Sequence, residues 1–171
     1  NIPYRVQSGV RFFEQSHLKD VISYLRILVN PRDELAWKRL LKMIPSVGNA
    51  TANKIYEALV LTEGEKGRKG EGEISVSESP RPRVTLSLPP AFNKLQSKQP
   101  WQEFVKLLEN LVSDENRNQP SKQIELILTS GYEQYLQETY ENAEARLEDI
   151  RQLALYASRY ETTESFLSEL A

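Results

Sequence analysis

The chain has 171 residues, 39% hydrophobic and 27% charged, with a formal net charge of −2, which suits one domain with a real core and argues neither for nor against nucleic acid. The absence of cysteine excludes disulfides, zinc ribbons and thiol nucleophiles and fits a reducing compartment. No apolar run approaches the roughly 18 residues of a membrane span, and residues 1–5 do not read as a signal peptide.

In chain order, residues 3–15 read as extended or turn structure, broken by Gly9 and anchored by Phe12-Phe13. Ser16 is placed to N-cap a helix over 17–29, with Leu18, Val21, Ile22, Leu25, Leu28 and Val29 on one face. Asn30-Pro31 ends it. Asp33 can cap a second helix over 34–43, where Leu35, Ala36, Leu40 and Met43 repeat at helical spacing. A tight turn over 45–48 leads into a third helix over 49–61, with Ala52, Ile55, Tyr56 and Leu59 inward. Residues 62–83, rich in Gly, Pro, Ser and charge, read as a flexible insertion or linker. Val84, Leu86 and Leu88 alternate, as in a short extended piece.

The second half is helical again. Trp101, Phe104, Val105, Leu108, Leu111 and Val112 form an amphipathic face. A loop over 116–120 follows, then a helix marked by Ile124, Ile127 and Leu128 that ends near Gly131. A long helix over 141–158 turns Ala143, Leu147, Ile150, Leu153, Ala154 and Ala157 inward. Thr162 or Thr163 can cap a final helix bearing Phe166, Leu167 and Leu170. The expected fold is all-α: an orthogonal helical bundle with little or no strand, forming one domain over 1–171.

The charge is uneven along the chain. Residues 1–60 hold nine Lys/Arg against five Asp/Glu, whereas residues 101–171 hold six against fourteen. The front half is therefore the place to look for an anion-binding surface, set against the plainer reading of two solvated faces of opposite sign. There is no Gly-rich Lys-Ser/Thr phosphate loop, no metal site is expected, and no catalytic residue stands out. His17, the single histidine, is expected to be a surface or capping residue.

The most informative segment is Leu41-Lys42-Met43-Ile44-Pro45-Ser46-Val47-Gly48-Asn49-Ala50-Thr51-Ala52-Asn53-Lys54-Ile55. It reads as helix, Pro-led turn with Gly, then a new helix, and it resembles a helix-hairpin-helix. Such a hairpin points backbone N–H groups of Ser46, Val47, Gly48 and Asn49 outward, and the following helix, with Thr51 in its first turn, adds its positive end. Together they can hold one DNA phosphate without reading sequence. Gly48 lets a ligand approach the backbone. Lys54 and Lys42 are candidates for charge-assisted contacts. Ser46 stands where the first hairpin Gly is usual, and an ordinary αα-hairpin remains the alternative.

Other segments carry a family resemblance. Ile2-Pro3-Tyr4-Arg5-Val6, then Ser8-Gly9-Val10-Arg11-Phe12-Phe13-Glu14, looks like the start of the 2B insertion of UvrD/PcrA/Rep-type superfamily 1 DNA helicases. Leu18-Lys19-Asp20-Val21-Ile22-Ser23-Tyr24-Leu25-Arg26 and Asn30-Pro31-Arg32-Asp33-Glu34-Leu35-Ala36-Trp37 continue the match in order. Tyr140-Glu141-Asn142-Ala143-Glu144-Ala145-Arg146-Leu147-Glu148-Asp149-Ile150 and Phe166-Leu167-Ser168-Glu169-Leu170-Ala171 resemble the insertion's later part. The hairpin departs from the family's P-x-R-G-I-G, being two residues shorter and lacking its Arg.

The resemblance implies a 2B-type accessory domain of a DNA helicase, and a chain that begins at Asn1 without Met reads as a piece of a longer protein. Such a domain contacts duplex DNA or a single-strand/duplex junction through phosphates and swivels to regulate unwinding. Gly9 and Arg11 are the hinge-side turn candidates, and the ends near Asn1 and Ala171 are expected to lie close together. This fragment would carry no cofactor or ATPase. ATP and Mg would belong to the parent motor, of 3'–5' polarity in DNA repair or replication. Its partners would be the remaining helicase domains in cis and repair proteins, in a bacterial cytoplasm at the nucleoid and not at a membrane. The alternatives are a helical protein–protein adaptor using residues 101–171, and a helix-hairpin-helix module of a repair nuclease or ligase.

Overall fold

A computed structural model describes residues 9–66, 86 and 88–171, with side-chain surroundings for 11–60, 86 and 88–171. The described residues form helices and turns with no strand, as the all-α expectation requires. The helices are α1 (Gly9–Phe13), α2 (Ser16–Val29), α3 (Glu34–Leu41), α4 (Asn49–Lys66), α5 (Asn93–Gln96), α6 (Gln99–Leu111), α7 (Pro120–Ile127), α8 (Glu133–Thr139), α9 (Ala143–Ala157) and α10 (Thr163–Leu170).

Helix α2 buries Leu18, Val21, Leu25 and Ile27 at helical spacing. It stops at Asn30, whose N–H bonds the Arg26 carbonyl, and Pro31 has no N–H with which to continue. Asp33 then caps α3 by accepting from the Ala36 N–H at 3.0 Å. The Trp37 indole donates to the Pro31 carbonyl at 2.8 Å, pinning the α2–α3 turn. Thr162 and Ser165 form a reciprocal capping box that opens α10. One contiguous core runs from Leu18 to Phe166, with Trp37, Trp101 and Phe104 beside Tyr24 at its aromatic centre.

Several expectations change. Residues 9–13 are helical rather than a turn, and Phe13 sets its ring 6.3 Å from Tyr156 of α9. Ser16 is the first residue of α2 and does not cap it. Gln15 stands at the cap, and the Ser16 hydroxyl and carbonyl accept from Arg39 instead. Helix α4 runs to Lys66, past the expected end at Leu61. Glu63, Glu65 and Lys66 are good helix formers, and Gly64 costs only about 1 kcal/mol within them. The rest of the expected insertion, 67–83, lies outside the described residues, as do Val84, Thr85 and Ser87. Leu88 is buried in the core.

Leu35, expected inward, is 77% exposed. The buried face of α3 is set by Ala36, Trp37, Leu40 and Leu41, which turns Leu35 outward. Helix α8 was not expected. Gly131, at φ +117°, ends α7 and redirects the chain into α8.

Candidate nucleic-acid interface

The hairpin is built by winding down α3. Lys42 bonds back to Lys38, Met43 to Leu40, and Ile44 to Leu41, each N–H to carbonyl at 3.1 Å. Val47 N–H then closes on the Ile44 carbonyl at 3.1 Å. Ile44 and Val47 are buried and anchor the loop into the core, so Pro45 and Ser46 between them project outward. Ser46 sits at φ +73°, the left-handed region normally left to glycine. The serine thus adopts the backbone that the usual hairpin glycine would supply.

Helix α4 starts as the Gly48 carbonyl accepts from the Ala52 N–H at 2.9 Å. The first N–H groups of such a helix have no partner within it and carry its partial positive charge. Gly48 is exposed, and a Cβ built on it would meet nothing within 4 Å. The fold itself does not demand glycine there, so the bare backbone is free for a ligand to approach.

Ser46, Gly48, Asn49, Lys42 and Lys54 are all exposed around this turn, and Thr51 is half-buried. Lys54 lies one helical turn beyond Ala50 on the same face of α4. Val47, expected to point its N–H outward, offers neither group: its side chain is committed to the core and its N–H to the Ile44 carbonyl. Gly9 and Arg11 belong to α1, away from the hairpin in sequence. Arg11 is exposed, and residues 1–8 of the hinge-side segment lie outside the described residues. Phe13 and Leu170 line one groove, which brings the first and last described helices to the same side.

Sequence reading misplaced His17. It is fully buried, its Nε2 2.9 Å from Asp149 Oδ2 and its Nδ1 2.9 Å from Arg146 Nη1. A guanidinium only donates, so Nδ1 accepts and Nε2 carries the proton. The ring is neutral, and burial holds its pKa below the ordinary 6.5 against the opposing pull of Asp149. Beside it, Asp20 accepts from Arg39 Nε and from the Tyr132 hydroxyl, each at 2.7 Å. The pKa of Tyr132 is pushed far up by burial and by Asp20. This network joins α2, α3, the α7–α8 kink and α9 through polar groups that are all satisfied among the described residues. Its signal in the sequence was one isolated histidine, which gives no hint of partners more than 100 residues away.

Among the described residues no group of three His, Cys, Asp or Glu could hold a metal ion, and no helix is long and apolar enough to cross a membrane. The UvrD-like helicase C-terminal domain family matches residues 1–63. A probable DNA helicase II homolog of Rickettsia conorii is 26% identical over 169 residues, 97% of this chain and 24% of that protein. The ATP-dependent DNA helicase Rep of Escherichia coli is 39% identical over 57 residues, 33% of this chain and 8% of its own length. UvrD1 of Mycobacterium tuberculosis is 48% identical over 40 residues, 23% of this chain and 5% of its own length.

This chain is similar to UvrD/Rep-type superfamily 1 DNA helicases. It spans no more than about a quarter of the length of these relatives. No solved structure matches. The likeness to the UvrD/Rep-type helicases is denser over the segment that holds α1 to α4 and the hairpin, and the Rickettsia relative extends it across α5 to α10.

Proposed function

We propose that this chain is a 2B-type accessory domain of an ATP-dependent DNA helicase, contacting duplex phosphates without sequence preference and swivelling to regulate unwinding. The observation that carries the reading is the hairpin between α3 and α4, with Ser46 held at φ +73° and Gly48 bare at the start of α4. Backbone N–H groups and a helix N-terminus suit an oxyanion such as a phosphate diester, which they hold with no base contact. Lys54 adds charge to the same surface. The likeness to helicases along nearly the whole chain favours this reading over a free-standing adaptor. ATP and Mg are assigned to the parent motor, with the remaining helicase domains as partners in cis. Gly9 and Arg11 are assigned to the hinge side.

Fluorescence anisotropy with duplex DNA tests it. The expected Kd is about 1–100 µM near physiological salt, weakening steeply as salt rises. Gly48→Glu, which has room in the fold, and Lys54→Gln should each weaken binding several-fold. Equal affinity of both variants and the parent chain would remove the hairpin from the interface. ATP hydrolysis by the purified chain would contradict the accessory role.

A further inference from the structure

The hairpin residues Pro45, Ser46, Val47 and Gly48 carry no cation, so the turn offers a phosphate only backbone dipoles. A helix end contributes about 0.3–1 kcal/mol to an exposed anion, too little for a duplex grip without charges nearby. The charges lie next to it. A groove of about 560 Å³ between α2, α3 and α10 is lined by Lys19, Arg26, Lys38, Arg39 and Lys42, and among the described residues no carboxylate lines it. Its apolar members include Ile22 and the exposed Leu35.

The five cations are not equivalent. Arg26 is bonded to Asp33 at 2.8 Å, Lys38 to Glu34, and Arg39 to Asp20 at 2.7 Å. Lys19 and Lys42 are exposed and make no ion pair among the described residues. Lys19 and Arg26 are seven residues apart on one face of α2, about 10 Å along the axis. Lys38 on α3 and Lys42 at its C-cap are four residues apart, about 6 Å along the axis. A duplex carries one charge per ~3.4 Å of helix axis on each strand, so rows of this length span only a few phosphates. Lys42 closes the groove at the end of α3, immediately before the hairpin.

We infer that the groove between α2 and α3 is a second phosphate-backbone surface, which Lys42 brings up to the start of the hairpin, and that Lys19 and Lys42 supply the charge the hairpin lacks. This rests on the duplex-binding reading above. A DNA strand held at the hairpin would run on into the groove, with Lys19 and Lys42 releasing counterions from it. Leu35 and Ile22 would pack against sugar faces. Lys42, the groove residue three positions before Pro45 in sequence, favours a nucleic-acid strand that also meets the hairpin over an acidic protein segment.

The test measures binding of the 171-residue chain to a labelled duplex of about 20 base pairs over a salt series, for the parent chain, the Lys19→Gln/Lys42→Gln double variant and Gly48→Glu. Both lysines are exposed, so circular dichroism and the urea midpoint of the double variant should match the parent. The double variant is expected to bind at least about tenfold more weakly in low salt, with the slope of log K against log salt shallower by about 2. That result with Gly48→Glu silent keeps the groove and discards the hairpin. A slope equal to the parent's, with Gly48→Glu weakened, keeps the hairpin and overturns the groove. No binding by any form overturns both. A poly-glutamate peptide bound by the parent and lost in the double variant, with DNA binding unchanged, assigns the groove to an acidic protein and also overturns it.

Discussion

Two grooves flank α3 and its hairpin, and they have opposite character. Among the described residues, the one toward α2 and α10 is lined by five cations and no carboxylate. The other, of about 370 Å³ and facing α6 and α8, is lined by Glu103 and Glu138 with Met43, Pro45 and Tyr135, and by no Lys or Arg among the described residues. The basic front half and acidic back half of the sequence are thereby placed on two sides of one helix. A polyanion approaching the hairpin would be drawn to one side and repelled from the other. Net charge says nothing of this, because the two faces cancel in the sum. What sets the polarity is how α3 is locked against α2, by the apolar packing of Ala36, Trp37 and Leu40 and by the Asp20–Arg39 pair of the buried polar network.

The largest effect should come from breaking that lock. The Asp20 side chain is 6% exposed and is the shared acceptor of Arg39 and Tyr132. Asp20→Ala leaves a guanidinium and a buried hydroxyl without it, at a cost of about 3 kcal/mol. Urea denaturation should show the loss as a lower midpoint at unchanged slope. An unshifted midpoint would mean that apolar packing of Ala36, Trp37 and Leu40 alone positions α3, and that the two grooves owe nothing to the network.

The next effect is on pH. His17 ties α2 in the basic half to Arg146 and Asp149 of α9 in the acidic half. Its folded pKa lies below the unfolded 6.5, so the unfolded chain binds the proton more readily. Stability from the neutral ring is therefore fully present above pH 6.5 and is lost as pH falls from 6.5 through the folded value. Protonation would place a proton on Nδ1, facing the Arg146 guanidinium. With a single titrating proton the slope cannot exceed about 1.4 kcal/mol per pH unit. Since this is the only histidine, urea midpoints between pH 7.5 and 5.5 should fall for the parent chain and stay level for His17→Gln. A decline of equal size in both would place the titration elsewhere.

Much of this architecture is legible in the sequence. The faces of α2 (apart from Val29, which is exposed), α6, α9 and α10, the Asp33 cap and the Thr162 cap follow from helical periodicity and local hydrogen-bonding chemistry, which act within a few residues. The misses are of another kind. Helix α8 buries only Leu136, too thin an apolar stripe to announce a helix among Gln134, Gln137, Glu138 and Thr139. Leu35 fits the period of α3 but loses its inward place to Trp37. The roles of His17, Asp20 and Arg39 are set by partners far away in the chain. The hairpin was legible as a motif, whereas the cationic groove beside it was not, because Lys19 and Lys42 come together only when α2 and α3 pack.

The smallest expected effect is a gain, and it probes the turn between the two grooves. Ser46 is held at φ +73° by the buried side chains of Ile44 and Val47 on either side of it. An L-residue with a Cβ pays about 1–2 kcal/mol in that region, whereas glycine enters it freely but gives up more entropy on folding. The balance predicts that Ser46→Gly stabilises the chain by about 0.5–1 kcal/mol, and that Ser46→Val, β-branched and worse suited to positive φ, destabilises it. Thermal or urea melts of the pair measure both signs. If the hairpin backbone is what meets phosphate, Ser46→Gly should leave duplex affinity unchanged or slightly higher, because the N–H groups keep their direction. A stabilised but non-binding Ser46→Gly would assign the contact to the serine hydroxyl instead. The turn would then serve only to present one side chain between an attractive groove and a repulsive one.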